Sequence, residues 1–179
     1  MAVFYLDTSA ILKRHRTEKG TLVVTELYEN RPQRDVLLTS HFSCLEFESV
    51  AARALKGTLL SQEAYDAMLG SFARDLAECL TLVEFSGKTV NDAVNVVRQY
   101  ALKAADAVQA ASAAEAAAAL PVTWTMGQGG LVAKRGEVVF VASDKELLSA
   151  TRAGGMTTLD PEAEDAMDQL RSLRSAGLK

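Results

Sequence analysis

Four acids in this sequence stand where a freely solvated charge is not expected. Asp7 closes the stretch VFYLD, directly after an apolar run and directly before the hydroxyls of Thr8 and Ser9. Asp144 follows VVFVAS in the same manner. Asp106 lies in LKAADAVQAASA, among small apolar residues, and Glu46 lies in SCLEFESV. Burying an unpaired charge is expensive, so acids in such settings need a partner or a task. Two unit charges about 4 Å apart repel by about 4 kcal/mol at an effective dielectric of 20. Carboxylates gathered in one pocket therefore either hold protons or share a cation. Magnesium takes oxygen ligands and keeps waters and phosphates in its shell, so an all-carboxylate cluster favours Mg²⁺ or Mn²⁺ over zinc. Each acid also has a plainer role open to it. Asp7 and Asp144 can cap the helices that follow them, Asp106 can cap a helix restart, and Glu46 can pair with Arg53.

The elements that must position these acids follow from apolar periodicity. Residues 3–6, 36–40, 80–85 and 138–142 read as strands, the last being the clearest buried one. Helical spacing runs over 10–29, over 43–56 with Gly57 as its stop, and from the cap Ser61 toward Glu78 with Glu63 in the first turn. A further helical stretch covers 89–119, and the alanines of its second half permit close packing. From Pro161 onward, Ala163, Met167, Leu170 and Leu173 form one helical stripe. Strands alternating with helices predict a three-layer α/β/α sandwich with a mostly parallel sheet. The division expected is one domain over 1–160 and a helical tail over 161–179. In open parallel sheets ligands bind beyond the carboxyl ends of the strands. Asp7 and Asp144 both follow strands, and the helix bearing Glu46 starts after the second strand, so parallel strands would bring these acids to one edge. The stretch 121–137, with GQGG at 127–130, is the least regular and reads as a hairpin loop. A lone glycine cluster is weak ground for phosphate binding.

Bulk composition narrows the function classes. At 179 residues the chain fits one domain with a substantial core. A net charge of −4 argues against a surface that holds nucleic acid by indiscriminate positive charge. It leaves room for a local basic patch. Lys13, Arg14, Arg16 and Lys19 form the densest basic cluster, for which a solvated helix face is the plainer reading. No apolar run approaches the roughly 18 residues of a membrane span, and Asp7 breaks the pattern of a secretory leader. Cys44 and Cys79 lack metal or redox spacing and predict a reducing, cytoplasmic setting. His15 and His41 are too few for a His-rich zinc site.

Taken in order, YLDTSAILK, LTSHFSCLEFESVAAR, ALKAADAVQAASA and VFVASDKELLSAT resemble the motifs of the PIN-domain nucleases. Within that superfamily the chain is most similar to the VapC-type toxins of bacterial and archaeal toxin–antitoxin pairs. The resemblance runs from Val3 to about Pro161. The family's first acid falls on Asp7, its helix-borne glutamate on Glu46, the aspartate of its DA motif on Asp106 and its last acid on Asp144. It implies a metal-dependent endoribonuclease in which these four are both the catalytic residues and the ligands of one or two Mg²⁺ or Mn²⁺ ions. Thr8, Ser9 and Ser143 are the small polar residues expected to support them. Lys13, Arg16 and Arg53 are the candidate contacts to RNA. The implied partners are an RNA substrate, a small antitoxin protein and a second copy of the chain in a homodimer, with no membrane involved. Two departures stand out: the insertion at 121–137 before the last core strand, and the tail after Pro161. Gln109, where many relatives carry a histidine, reads as a neutral change.

Two other readings compete. Aspartyl phosphatases also start from an Asp after their first strand, but their signature is Asp-x-Asp and Ser9 occupies the second place. A PIN-like domain without catalysis, binding only RNA or protein, is the alternative of another class, and the presence of all four acids weighs against it. Glu48 lies two residues from Glu46 and about 200° away around the helix, so only one of them faces a given site. Periodicity does not choose between them; the family pattern chooses Glu46.

Overall fold

A computed structural model describes residues 2–30, 35–127 and 130–176. Its frame is a five-stranded sheet of β1 (Val3–Leu6), β2 (Val36–Ser40), β3 (Leu80–Val83), β6 (Val138–Val141) and β7 (Thr157–Leu159). The order is β3-β2-β1-β6-β7 and every pairing is parallel. Successive strand side chains point to opposite faces, and both faces are covered. Phe4, Leu6, Leu37, Val139 and Val141 share one core layer with α1 (Thr8–His15), α2 (Thr21–Glu29), α3 (His41–Lys56), α4 (Gln62–Glu78) and α8 (Ala166–Ala176). Val3, Tyr5, Leu38, Val138 and Phe140 share the other with α5 (Gly87–Tyr100), α6 (Ala104–Ala119) and α7 (Lys145–Ala153). Each large side chain buried in these layers contributes about 1.5–3 kcal/mol. This is the three-layer α/β/α sandwich.

Two helical stretches of the sequence are each broken in two. Residues 10–29 divide into α1 and α2 because Gly20 sits at φ +90°, a conformation a continuing helix cannot use. Residues 89–119 divide into α5 and α6 because Ala101 turns left-handed (φ 55°) and Leu102 plugs into the core. Freed by that break, the alanine-rich α6 lies close on the sheet, with Ala107, Ala111 and Ala113 buried. The irregular stretch forms a β-hairpin: β4 (Val122–Gly127) pairs antiparallel with β5 (Gly130–Arg135) as a separate two-stranded sheet. The turn at 128–129, and with it the middle of GQGG, lies outside the described residues.

The tail joins the first core layer. Ala166 and Leu170 are buried there, with Ala163, Met167 and Leu173 packed around them. Arg174 reaches Asp35 at 2.9 Å and Glu26 at 3.3 Å. At its start the tail meets the α1–α2 turn. Lys13, only 3% exposed, donates to Glu18 at 3.2 Å and to Glu162 at 2.7 Å. A Cβ on Gly20 would lie 2.9 Å from the carbonyl oxygen of Pro161. Gly20→Ala therefore adds both a left-handed strain and a clash with a backbone atom. It is expected to lower unfolding stability by about 1–3 kcal/mol, read from urea denaturation. An unchanged midpoint would contradict this close approach.

Candidate active site

The site is assembled at the carboxyl edge of the sheet. Asp7 is the first residue beyond β1, and its N–H donates to the Val141 carbonyl at 3.1 Å, extending the β1–β6 ladder by one rung. Its Oδ1 accepts from the Ala10 N–H at 3.0 Å and from Ser9 Oγ at 2.7 Å, which caps α1. Ser9 Oγ in turn accepts the Ser143 N–H at 2.9 Å, tying the end of β1 to the loop after β6. Asp144 caps α7 through the Leu147 N–H at 2.9 Å. Asp106 stands in the first turn of α6, whose N-cap position belongs to Lys103. Glu46 projects from the second turn of α3, and its Oε2 accepts from Thr8 Oγ1 at 2.6 Å and from Gln109 Nε2 at 2.5 Å. All four acids line one open cleft together with Thr8, Ser9, Gln109 and Arg53. Asp7 and Asp144 are thus both caps and cleft walls. Glu46 leaves Arg53 alone, and Arg53 bonds Ser49 instead at 2.7 Å.

This concentration of negative charge has a visible cost. Burial pushes the Asp7 carboxyl up to about 6, against the pull of its bonds to Ser9 and Ala10, and the Glu46 charge adds to the rise. Asp106 is also raised, by burial first and by the Asp144 charge second. Among the described residues none of the four acids forms an ion pair. Nor, among the described residues, do three acid, histidine or cysteine side chains stand grouped as a ready metal cage. Asp7, Glu46 and Asp144 are each held to a neighbouring side chain or to an N–H group of a helix start.

The remaining sequence candidates divide. Thr8 bonds Glu46 rather than its neighbour Asp7, and Ser9 bonds Asp7. Ser143 contributes its N–H, while its buried Oγ has no hydrogen-bond partner among the described residues. Arg53 is exposed on the rim of the cleft, and Arg16 is exposed away from it. Lys13 is not available to RNA, because it is buried and held by two carboxylates. Arg14, from the same basic cluster, pairs with Glu29 at 2.6 Å and lies over the Tyr28 ring. The cluster is therefore only in part a solvated face. Glu48 points outward, accepting from the Tyr65 hydroxyl at 2.6 Å. Sequence reasoning took Gln109 only as a neutral exchange for histidine and gave it no task; the structure shows it buried and bonded to Tyr5, Thr8, Ser43 and Glu46. The signal was there: a lone amide inside an otherwise small and apolar helix face.

A parallel α/β/α sandwich with acids gathered past its strand ends is one class of architecture. The chain matches the PIN domain over residues 4–123, well over half its length, and belongs to that family. The matched span carries Asp7, Glu46 and Asp106, with Asp144 beyond it. A comparison with curated protein sequences gives no match. Among solved structures, FitAcB from Neisseria gonorrhoeae is similar with a TM-score of 0.60 and 16% identity, covering 88% of this chain and 97% of that one. VapBC2 from Rickettsia felis, bound to a DNA fragment from its promoter, gives 0.55 and 13% over 88% and 98%. VapC20 from Mycobacterium tuberculosis, a sarcin–ricin-loop-cleaving toxin, gives 0.50 and 14% over 63% and 82%. At these identities the likeness is one of fold.

The raised Asp7 carboxyl makes stability depend on pH. An acid that binds its proton more tightly when folded favours folding fully below its unfolded value near 4. That advantage is lost as pH rises toward about 6. The loss amounts to up to about 3 kcal/mol, and Asp106 shifts it in the same direction. Asp7→Asn keeps a capping oxygen and removes the charge. Without added metal, the variant is expected to be more stable than the parent at pH 7 and to show a flatter profile between pH 4 and 6. Denaturation series at those pH values check this, and a uniform loss of stability would mean that the charged cap outweighs the burial.

Proposed function

We propose that the protein is a metal-dependent endoribonuclease that hydrolyses RNA phosphodiesters in the cytoplasm as the toxin of a type II toxin–antitoxin pair. One observation carries this reading: Asp7, Glu46, Asp106 and Asp144 line one cleft, and among the described residues none is paired with a cation of the protein's own. The donor set fits a hard ion, because it is all oxygen and its most buried member, Asp7, bears an uncompensated charge. Asp7, Asp106 and Asp144, with Glu46 on the α3 wall, would hold Mg²⁺ or Mn²⁺. Such an ion supplies an acidified water and neutralises charge on the attacked phosphate. The chain's own share is placement. The β1–β6 ladder and the α1 cap fix Asp7, Ser9 joins it to the Asp144 loop, and Arg53 offers the rim a guanidinium for a phosphate. Hydrolysis leaves 5′-phosphate and 3′-hydroxyl ends. We assign the nuclease unit to 1–160 and 161–179 to a tail, whose helix α8 (Ala166–Ala176) packs on that unit.

The partner reading has support of a different kind. The fold likeness to a toxin–antitoxin complex from Klebsiella pneumoniae supports our proposal that a small antitoxin neutralises this chain, and we propose a homodimer as its assembly. An antitoxin side chain such as arginine, placed among the acids, would supply the positive charge the cleft lacks.

Cleavage of single-stranded RNA is expected with Mn²⁺ or Mg²⁺ and is expected to stop with EDTA. Asp7→Asn, Asp106→Asn and Glu46→Gln should each lower the rate by tenfold or more, whereas Glu48→Gln should stay within a few-fold of the parent. Full cleavage by metal-stripped protein would refute the mechanism. Metal-replete protein that binds RNA without cutting it would establish the non-catalytic alternative.

A further inference from the structure

Gln109 has a more specific task than filling α6. It is 2% exposed, and both ends of its amide are committed. Oε1 accepts from the Tyr5 hydroxyl at 2.7 Å. The two hydrogens of Nε2 are shared among Glu46 Oε2 at 2.5 Å, Thr8 Oγ1 at 3.1 Å and Ser43 Oγ at 3.0 Å. Thr8 Oγ1 itself donates to the same Glu46 oxygen at 2.6 Å. The partners come from β1, α1 and α3, so one amide on α6 ties three elements around the glutamate. Its orientation is decided. Reversed, its carbonyl oxygen would face the Glu46 carboxylate, and like partial charges at that distance repel. Tyr5 holds the amide from behind, and burial keeps its hydroxyl protonated by raising its pKa. Packing alone gives no reason for a glutamine here. A buried amide costs about 1–3 kcal/mol wherever its bonds fail, and an apolar side chain of the same size would suit the alanine-rich layer.

We propose that Gln109, backed by Tyr5, is a positioning residue that engages Oε2 of Glu46 and so leaves Oε1 as the oxygen offered to the divalent cation. The inference rests on the ribonuclease reading. Among the described residues no side chain bonds Oε1 of Glu46, whereas Oε2 carries two donors. A carboxylate fixed by two donors presents its second oxygen in one place. Released, it would swing toward solvent or toward Thr8 alone.

The test combines three variants with Mn²⁺ calorimetry and single-turnover RNA cleavage. Gln109→Met keeps the volume and removes the donors. It is expected to weaken Mn²⁺ binding about tenfold or more and to lower kcat similarly, with KM for RNA nearly unchanged and thermal stability held or raised. Gln109→His returns one N–H donor and is expected to recover most of the Mn²⁺ affinity. Tyr5→Phe keeps the ring packing but frees the amide, and is expected to show a smaller loss of Mn²⁺ affinity in the same direction. Folded Gln109→Met protein with Mn²⁺ affinity and kcat within twofold of the parent overturns the proposal. If Gln109→Met fails to fold, Tyr5→Phe decides, and an unchanged Mn²⁺ affinity there overturns it equally. Parent protein that neither binds Mn²⁺ nor cuts RNA overturns the ribonuclease reading itself, and the proposal with it.

Discussion

The rung between the Asp7 N–H and the Val141 carbonyl, 3.1 Å long, is where the interior of the sheet ends and the acidic cleft begins. β1 is central, paired on both sides and covered on both faces, so the first polar residue after it is buried wherever the chain turns. Parallel pairing then fixes where everything else arrives. β2 and β6 end at the same edge as β1, and α1, α3 and α7 all start there, capped by Asp7, Ser40 and Asp144. Three helix N-termini at one edge give a partly positive backbone field, which offsets some of the repulsion among the carboxylates. Burial first, and the neighbouring carboxylates after it, still raise the Asp7 and Asp106 carboxyls.

Behind the acids lies a buried polar layer. Thr39 Oγ1 reaches the Leu6 carbonyl at 2.8 Å and Ser43 Oγ at 2.7 Å, and Ser43 meets the amide of Gln109. Such a network is favourable only while every member is satisfied, and then it holds its parts in one arrangement. It exists because α6 can come close. A helix rich in alanine brings its backbone near the sheet, and the Gln109 side chain then spans the gap to Tyr5, Thr8 and Glu46.

The distribution of positive charge follows a consistent economy. Lys13 and Arg14 pair with Glu18, Glu162 and Glu29, and Arg174 pairs with Glu26 and Asp35. Lys88 pairs with Asp92 and Glu115, and Lys145 pairs with Asp160. Cations near the fold's seams are therefore occupied, and Arg53 is the basic side chain lining the cleft among the described residues. A cleft of this charge attracts a cation more readily than a polyanion.

Local chemistry made much of this legible in the sequence. The strands were readable because a run buried on both faces is apolar throughout, as Val3–Leu6 and Val138–Val141 are. Asp7, Asp144 and Ser61 were readable as caps because a cap acts within three residues of itself. The breaks at Gly20 and Ala101 were harder, since the helical spacing continues across both and tertiary packing interrupts it. Glu46 against Glu48 was undecided by periodicity, because α3 has apolar residues over most of its circumference. The commitment of Lys13 to Glu162 and of Gln109 to Tyr5 joins residues 149 and 104 positions apart. No window of sequence contains such pairs. A residue's local pattern tells which element it sits in, but which oxygen it meets is decided only when distant elements close on one another.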